Sequence, residues 1–154
     1  MIKIITTLLT LFAFNVSHAK VNVGIILGFT GPIETLTPGM SAGAELAFNE
    51  AADSGKLLNG QSINIIKVDS TCVDSAAATS AAESLISQGV TAIMGADCSG
   101  VTGAVLSNVA VPNGVPMISP SATSPGLTTA ADNGLFFRTA PSDARGGEVL
   151  ADIT

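Results

Sequence analysis

Residues 21–27 read VNVGIIL, a run that is apolar apart from Asn22 and rich in β-branched side chains. Such a run is typical of a strand that is covered on both faces, as in a parallel sheet. Segments of similar character follow at 62–68, 90–94, 115–118 and 135–138. The sequence therefore predicts a sheet of these strands, with the first strand formed by residues 21–27.

Helical patterns separate the predicted strands. Apolar residues at helical spacing predict a helix over 40–52. Similar patterns predict helices over 74–88, which Gly89 ends, and over 101–109. Strands that alternate with helices form right-handed βαβ units with parallel strands. We therefore predict the α/β fold class, with a doubly wound parallel sheet flanked by helices.

The first nineteen residues are typical of a secretory signal. Lys3 supplies a positive charge, residues 4–16 supply an apolar stretch, and Ser17-His18-Ala19 fits the small-x-small cleavage rule. The apolar stretch is shorter than the roughly 20 residues that span a bilayer. We therefore expect cleavage after Ala19 and a periplasmic protein; an uncleaved N-terminal anchor is the alternative.

The last residues indicate how the chain is organised into domains. Ser142 and Asp143 open a predicted helix, and no stop signal follows before the sequence reaches Thr154. We expect residues 20–154 to form one ligand-binding lobe after a signal peptide at 1–19, and the sequence to be part of a longer protein.

The charge of the chain bears on its partners. Six Lys and Arg stand against twelve Asp and Glu, which gives a formal net charge of −6. Nucleic acids and anionic membrane surfaces are bound by clusters of Lys and Arg, and the sequence contains no such cluster. We therefore expect a small-molecule ligand and no nucleic-acid partner.

Two cysteines, Cys72 and Cys98, stand in a chain that is predicted to enter an oxidising compartment. An even number of cysteines in that setting favours a disulfide. A pair of buried free thiols is the alternative.

Three predicted loops follow the first, third and fourth strands, at 29–39, 95–100 and 119–124. Ligands of open α/β sheets bind at the carboxyl ends of the strands. Two of these loops lead into predicted helix N-termini, whose free N–H groups favour an anion such as a carboxylate. Hydroxyl groups of three residues would add to this site: Ser99, Ser121 and Thr123. Ordinary capping and turn formation are the alternative role for each of them.

Features of enzymes are missing from the sequence. The only histidine, His18, lies in the predicted signal, so no Ser/His or Cys/His pair can form in the mature chain. No phosphate-binding loop, dinucleotide fingerprint or metal-ligand spacing is present. Asp97 beside Ser99 could be read as a base and a nucleophile, but we interpret both as turn formers. We therefore expect a protein that is not an enzyme and needs no cofactor or metal.

Four stretches of the sequence resemble the branched-chain amino-acid transporter substrate-binding proteins, the leucine/isoleucine/valine-binding protein family. They are Gly31-Pro32, the segment DSTC at 69–72, the segment GADCS at 95–99 and the segment ISPSATSP at 118–125. The resemblance covers residues 20–154. It implies a type I periplasmic-binding fold of two α/β lobes, of which this chain holds the N-terminal lobe.

The resemblance also implies a function and a cysteine pairing. Members of the family bind a branched-chain amino acid or a related small amide or amino-acid ligand between their lobes, and pass it to an inner-membrane ABC permease. The cysteines that match Cys72 and Cys98 are bridged in the family. We expect a monomer; a ligand-sensing module of the same fold in a receptor or regulator is the alternative function.

Five residues match the ligand-binding positions of the family. The resemblance implies that Ser99 holds the ligand carboxylate and that Thr123 contacts both carboxylate and ammonium. It implies that the backbone of Ser121 accepts from the ammonium, and that Cys98 and Ala122 line the side-chain pocket.

The chain departs from the family at two positions. An aromatic residue lines the family pocket in the first loop, whereas 36–39 hold none and the chain has no Tyr or Trp. Asp97 stands where many members carry an apolar residue. The acidic residue that usually pairs with the ammonium comes from the second lobe. A related amide, a urea derivative or a polar amino acid therefore stays open as the ligand.

Overall fold

The computed structural model describes residues 20–56 and 60–153, so the predicted signal peptide lies outside the described residues. Strands and helices alternate along the chain. Their order is β1 Val21–Leu27, α1 Thr37–Asp53, β2 Ile63–Asp69, α2 Ser75–Ser87, β3 Val90–Gly95, α3 Ser99–Val105, a π-helical segment Leu106–Ala110, α4 Val111–Asn113, β4 Met117–Ser119, a 3-10 turn Pro125–Thr128, β5 Phe136–Arg138 and α5 Asp143–Asp152.

The five strands form one parallel sheet in the order β2-β1-β3-β4-β5. β1 lies between β2 and β3, with Val21 opposite Ile63 on one side and Ile26 opposite Gly95 on the other. The last five residues of β1 are buried, which explains why none of them carries a polar side chain. The predicted α/β fold with a doubly wound parallel sheet is confirmed.

The hydrophobic core lies on one face of the sheet, beneath α2, α3 and the π-helical segment. α2 turns its small residues and Leu85 towards this core, and Ile26 and Ile93 meet them from the sheet. The other face carries α1, whose Phe48 and Ala51 line a shallow pocket together with Val23. Among the described residues, no helix is long and apolar enough to cross a membrane.

Two helices differ from the sequence-based predictions. α1 begins at Thr37, three residues before the predicted start, because Pro38 is well suited to the first turn of a helix. The predicted helix over 101–109 begins earlier, at Ser99, and runs on through the π-helical segment and α4 to Gly114, which adopts a left-handed conformation. Pro112 cannot donate a backbone hydrogen bond, which is consistent with the irregular helix around it.

Strand bounds differ from the predictions by small amounts. β1 has the predicted bounds, while β2 begins and ends one residue later than predicted. β4 is Met117–Ser119, shorter than the predicted 115–118 and displaced towards the loop that follows. The helix that Ser142 was predicted to open is α5, and Ser142 accepts a hydrogen bond from the backbone N–H of Ala144.

Candidate functional site

The carboxyl ends of all five strands lie at one edge of the sheet, because the strands are parallel. This edge carries the three loops that were predicted to form a site. The loop after β3 is shorter than predicted, since α3 already begins at Ser99 with Cys98 as its N-cap residue. Ser99 therefore lies in the first helical turn, where backbone N–H groups have no intrahelical partner.

Ser99 joins two of the predicted loops. Its Oγ accepts hydrogen bonds from the backbone N–H groups of Thr123 and Ser124, each at 3.1 Å. The two residues predicted to hold a ligand carboxylate, Ser99 and Thr123, are thus direct neighbours. Because a serine oxygen has two lone pairs, both are used by these contacts, and the hydroxyl proton is left to donate.

The loop after β4 is fixed through its backbone. Ser121 Oγ donates to the carbonyl of Asp97 at 3.0 Å. Ala122 is fully buried, and its N–H donates to Ser119 Oγ at 3.0 Å. Ser119 Oγ in turn donates to the carbonyl of Ala96. The loops after β3 and β4 are therefore held together at several points, with Ser121 at their junction.

Thr123 is also tied to the start of α5. Its Oγ1 donates to Asp143 Oδ2 at 2.8 Å, and its carbonyl accepts from the N–H of Asp143 at 2.9 Å. Sequence reasoning placed Asp143 at a helix start and assigned it no role in the site. The Ser-Asp pair signals a helix N-terminus, and nothing in its spacing reveals the contact with Thr123.

Arg138, at the end of β5, was also missed. Its guanidinium donates to the carbonyls of Ala122 at 3.3 Å and Ser124 at 2.8 Å, and to the hydroxyl of Thr128. These carbonyls flank Thr123, so Arg138 fixes the backbone on both sides of it. A planar group with several donors suits this bridging of carbonyl oxygens.

Cys98 forms a disulfide with Cys72, as predicted, across a sequence separation of 26 residues. Cys72 lies just after β2 and Cys98 just after β3, so the bond joins two strand-end loops. Cys72 has a positive φ of 70°, as does Thr71 with 58°, an uncommon conformation for residues with side chains. The N–H of Thr71 donates to Asp69 Oδ1 at 2.8 Å, which supports this turn.

Asp97 is 2 % exposed and holds three loops together. Its carboxylate accepts from the N–H of Gly28 at 2.6 Å, from the N–H of Cys98 at 2.9 Å and from the hydroxyl of Ser70 at 3.3 Å. These contacts use the carboxylate within the protein. Asp97 therefore fits the interpretation as a turn-forming residue, and its acidic side chain is not presented to a ligand.

The loop after β1 is held against the loop after β2. Thr30 donates to the carboxylate of Asp69 through both its N–H and its hydroxyl. Gly31 has a φ of 96°, and a Cβ atom on it would lie 2.5 Å from the carbonyl oxygen of Thr71. This position requires glycine for its conformation and for the close approach.

Asp69 is the titratable group at this edge whose pKa is shifted. Partial burial on its own raises the pKa of Asp69, but hydrogen bonds from the Thr30 side chain and from the backbone N–H groups of Thr71, Thr30 and Phe29 stabilise the ionised form. The net result is a pKa below the ordinary value of 3.8. Asp69 thus stays ionised while it holds the two loops together.

A separate cavity of about 420 Å³ opens on the face of the sheet that carries α1. Ser99 and Thr123 do not line it. Its walls are apolar side chains of α1 and of the strands, together with Pro120 and Thr139: Gly43, Ala44, Ala47, Phe48, Met94 and Ile118. Within residues 20–56 and 60–153, no cluster of three His, Cys, Asp or Glu is placed to hold a metal ion.

Comparison with known proteins assigns the chain to a family. Residues 20–153 match the family model described as periplasmic binding protein. A Leu/Ile/Val-binding protein of Rhizobium johnstonii, BraC3, is 31% identical over 146 residues, which cover 94% of this chain and 39% of that protein.

Solved structures agree with this match. The branched-chain amino acid transporter substrate-binding protein LivJ of Streptococcus pneumoniae, in complex with isoleucine, is 31% identical with a TM-score of 0.72, over 81% of this chain and 35% of that one. A solute-binding protein of an ABC transporter from R. palustris, in complex with benzoate, is 29% identical with a TM-score of 0.69, over 82% and 34%.

The chain spans less than two fifths of the length of each of these relatives. The family match nevertheless covers all of the described residues, and the shared architecture is a parallel five-stranded sheet flanked by helices. Proteins of this kind bind solutes for transport and are not enzymes. The chain belongs to the periplasmic binding protein family.

Proposed function

We propose that this chain is the N-terminal ligand-binding lobe of a solute-binding protein, and that it binds a branched-chain amino acid or a close analogue by the carboxylate. The observation that carries the proposal is the junction of Ser99 with Thr123 at the carboxyl edge of the sheet. The proton of the Ser99 hydroxyl is free to donate there, next to helix N–H groups that favour an anion.

The ligands of two similar structures support a carboxylate ligand. One of these proteins was solved with isoleucine and another with benzoate. Both ligands carry a carboxylate, while their other parts differ. A site that grips the carboxylate from this lobe and leaves the side chain to other residues is consistent with both.

The place of this lobe in transport is part of the proposal. We infer that residues 1–19 are a cleaved signal that directs the protein to the periplasm, and that a second lobe closes on the ligand. The loaded protein, a monomer, then delivers the ligand to an inner-membrane ABC permease. Cys98 and Ala122 would lie near the ligand side chain, with the Ser121 backbone near the ammonium.

The test uses the protein encoded by the complete reading frame that contains this chain. Isothermal titration calorimetry with leucine, isoleucine, valine and benzoate gives the ligand class. We expect Ser99→Ala to weaken binding of the preferred ligand by about tenfold or more, the scale of a hydrogen bond to a charged group.

Ser107→Ala is the matched control, because Ser107 is an exposed helical serine that bonds only within its own helix. Its affinity should equal that of the wild type. If none of the four compounds binds, the proposed ligand class is wrong. If Ser99→Ala binds as well as the wild type, the assignment of the carboxylate site is wrong.

A further inference from the structure

We propose that the disulfide and Asp97 together position Ser99 for the ligand, so that the affinity of the site, and not only the stability of the fold, depends on oxidation of the disulfide. Asp97 is the second link between the same two loops, and it holds them in part when the disulfide is open. The inference rests on the proposed function, because it takes Ser99 as the donor to the ligand.

The disulfide joins the chain at the residue before Ser99. Cys98 is the N-cap residue of α3, and its side chain makes no capping hydrogen bond. Its sulfur is bonded to Cys72 instead. The carbonyl of Cys98 accepts from both the N–H and the hydroxyl of Thr102, each at 2.9 Å, so the first turn of α3 continues directly from this residue. A displacement of Cys98 therefore also displaces Ser99.

The other end of the disulfide lies in a turn between β2 and α2. The N–H of Thr71 donates to Asp69 Oδ1 at 2.8 Å, and the N–H of Asp74 donates to Thr71 Oγ1 at 3.1 Å. Asp74 is also the N-cap residue of α2, where its carboxylate accepts from two backbone N–H groups. Cys72 lies within this turn, so the disulfide connects Cys98 to a part of the fold that is itself fixed.

Asp97 links the same two loops without a covalent bond. Its Oδ1 accepts from the hydroxyl of Ser70 at 3.3 Å, and Ser70 lies two residues before Cys72. Its Oδ2 accepts from the N–H of Gly28 at 2.6 Å. A Cβ atom on Gly28 would lie 3.1 Å from Cys72 Cβ and 3.3 Å from Asp97 Oδ2, so both links pack against this glycine. If one link is lost, the other still holds the loop after β3.

The two links differ in their access to solvent. Asp97 is 2 % exposed, whereas Cys72 and Cys98 are only partly buried. A dithiol can therefore attack the disulfide while the contacts of Asp97 stay in place. The S–S bond breaks, each of its sulfurs takes up one electron and one proton, and the dithiol loses two of each as it closes to a cyclic disulfide.

Opening of the disulfide acts on the site through the order of its residues. Ser99 accepts from the N–H groups of Thr123 and Ser124, so its position also determines how the loops after β3 and β4 meet. With the disulfide open, the start of α3 has more conformational freedom, and the ligand has to restrict that freedom on binding. The affinity therefore falls although the Ser99 hydroxyl is still present.

The experiment measures affinity by isothermal titration calorimetry in the protein from the complete reading frame. The ligand is whichever of leucine, isoleucine, valine and benzoate the oxidised wild type binds most tightly. Reduction by dithiothreitol should weaken binding by about tenfold, and reoxidation should restore it. Cys72→Ala opens the disulfide and leaves Cys98 in place, so it should reproduce the loss without a reductant.

Two further variants separate positioning from a general loss of stability. Val109→Ala removes two methyl groups from the core at the other end of the same helical stretch, and should lower the melting temperature without changing the affinity. Asp97→Asn should weaken binding by about threefold in the oxidised protein, and by about tenfold or more in the Cys72→Ala background, where it removes the remaining link. Circular dichroism at the temperature of the titration verifies that each protein is folded.

Each outcome decides the inference. Unchanged affinity in Cys72→Ala, or in reduced protein with both thiols free, overturns it and leaves the carboxylate site standing. It is also overturned if Val109→Ala weakens binding as much as Cys72→Ala, since affinity would then follow stability alone. An equal effect of Asp97→Asn in both backgrounds would show that Asp97 is not the second link. An oxidised wild type that binds none of the four compounds refutes the proposed function, and this inference with it.

Discussion

The loops at the carboxyl end of the sheet are joined to one another by buried side chains and a disulfide, whereas the opposite end relies on exposed contacts. At the carboxyl end, Asp97 alone connects the loops after β1, β2 and β3. At the amino end, the described contacts centre on Asn22, whose amide donates to the carbonyl of Gln88 at 2.7 Å and accepts from Asn64 at 3.0 Å. Both of these bonds are exposed.

This difference indicates that the candidate site is formed before a ligand arrives. Loops that are already fixed lose little conformational freedom on binding, so more of the interaction energy appears as affinity. The loops at the amino end carry no candidate site, so they only have to connect the helices to the strands. Variants that cut the links at the carboxyl end should therefore be costly, and a cut at the amino end should not be.

The largest expected effect comes from removal of the disulfide. Replacement of Cys72 and Cys98 by serine should lower the free energy of unfolding by about 3 kcal/mol, as expected for a loop of this length. Urea unfolding of the chain followed by circular dichroism measures it. Reduction of the wild type should give the same loss, and a loss below about 1 kcal/mol would show that the other links suffice.

The second effect concerns Asp97. Asp97→Asn replaces one accepting oxygen with a donor, so the N–H of Gly28 or of Cys98 loses its partner in a buried place. The expected loss is about 2 kcal/mol. Asn22→Ala is the control at the amino end, with an expected loss of less than about 1 kcal/mol because its bonds are exposed. Equal losses in the two variants would remove the distinction between the ends.

The smallest effect depends on pH. Because the pKa of Asp69 lies below 3.8, its ionised form stabilises the fold, and this contribution is present above that pH and lost as the pH falls through the lowered pKa. Asp69→Asn should therefore lower the melting temperature by a few degrees at pH 7. The difference from the wild type should shrink and then vanish as the pH falls through this lowered pKa. A difference that is constant with pH would assign it to packing and not to charge.

The sequence predicted those parts of the molecule that depend on local pattern. β1 could be placed to the residue because a run that is apolar apart from Asn22 marks a strand buried on both faces. The start of α1 was placed too late, since Thr37 is fixed by hydrogen bonds to the carbonyls of Gly28 and Glu34, and such contacts leave no periodic signal.

The arrangement of the candidate site was predicted in part, as the fold was. Ser99 and Thr123 were expected to meet because the carboxyl ends of parallel strands share an edge, and they do. Arg138 and Asp143 were missed because each acts on the loop after β4 through backbone groups or a single hydroxyl. Their residue types and spacing resemble an ordinary strand end and an ordinary helix start, so only the three-dimensional arrangement reveals the contacts.

The apolar cavity beside α1 decides how unfolding of this chain can be followed. Ile118, which lines it, is 42 % exposed, so the folded chain already offers an apolar surface to small aromatic dyes. A dye that fluoresces on apolar surfaces would therefore give a signal before any unfolding. The chain has no Trp or Tyr, so intrinsic fluorescence is also weak. Circular dichroism of the amide backbone needs neither a dye nor an aromatic side chain, and is the appropriate signal for this chain.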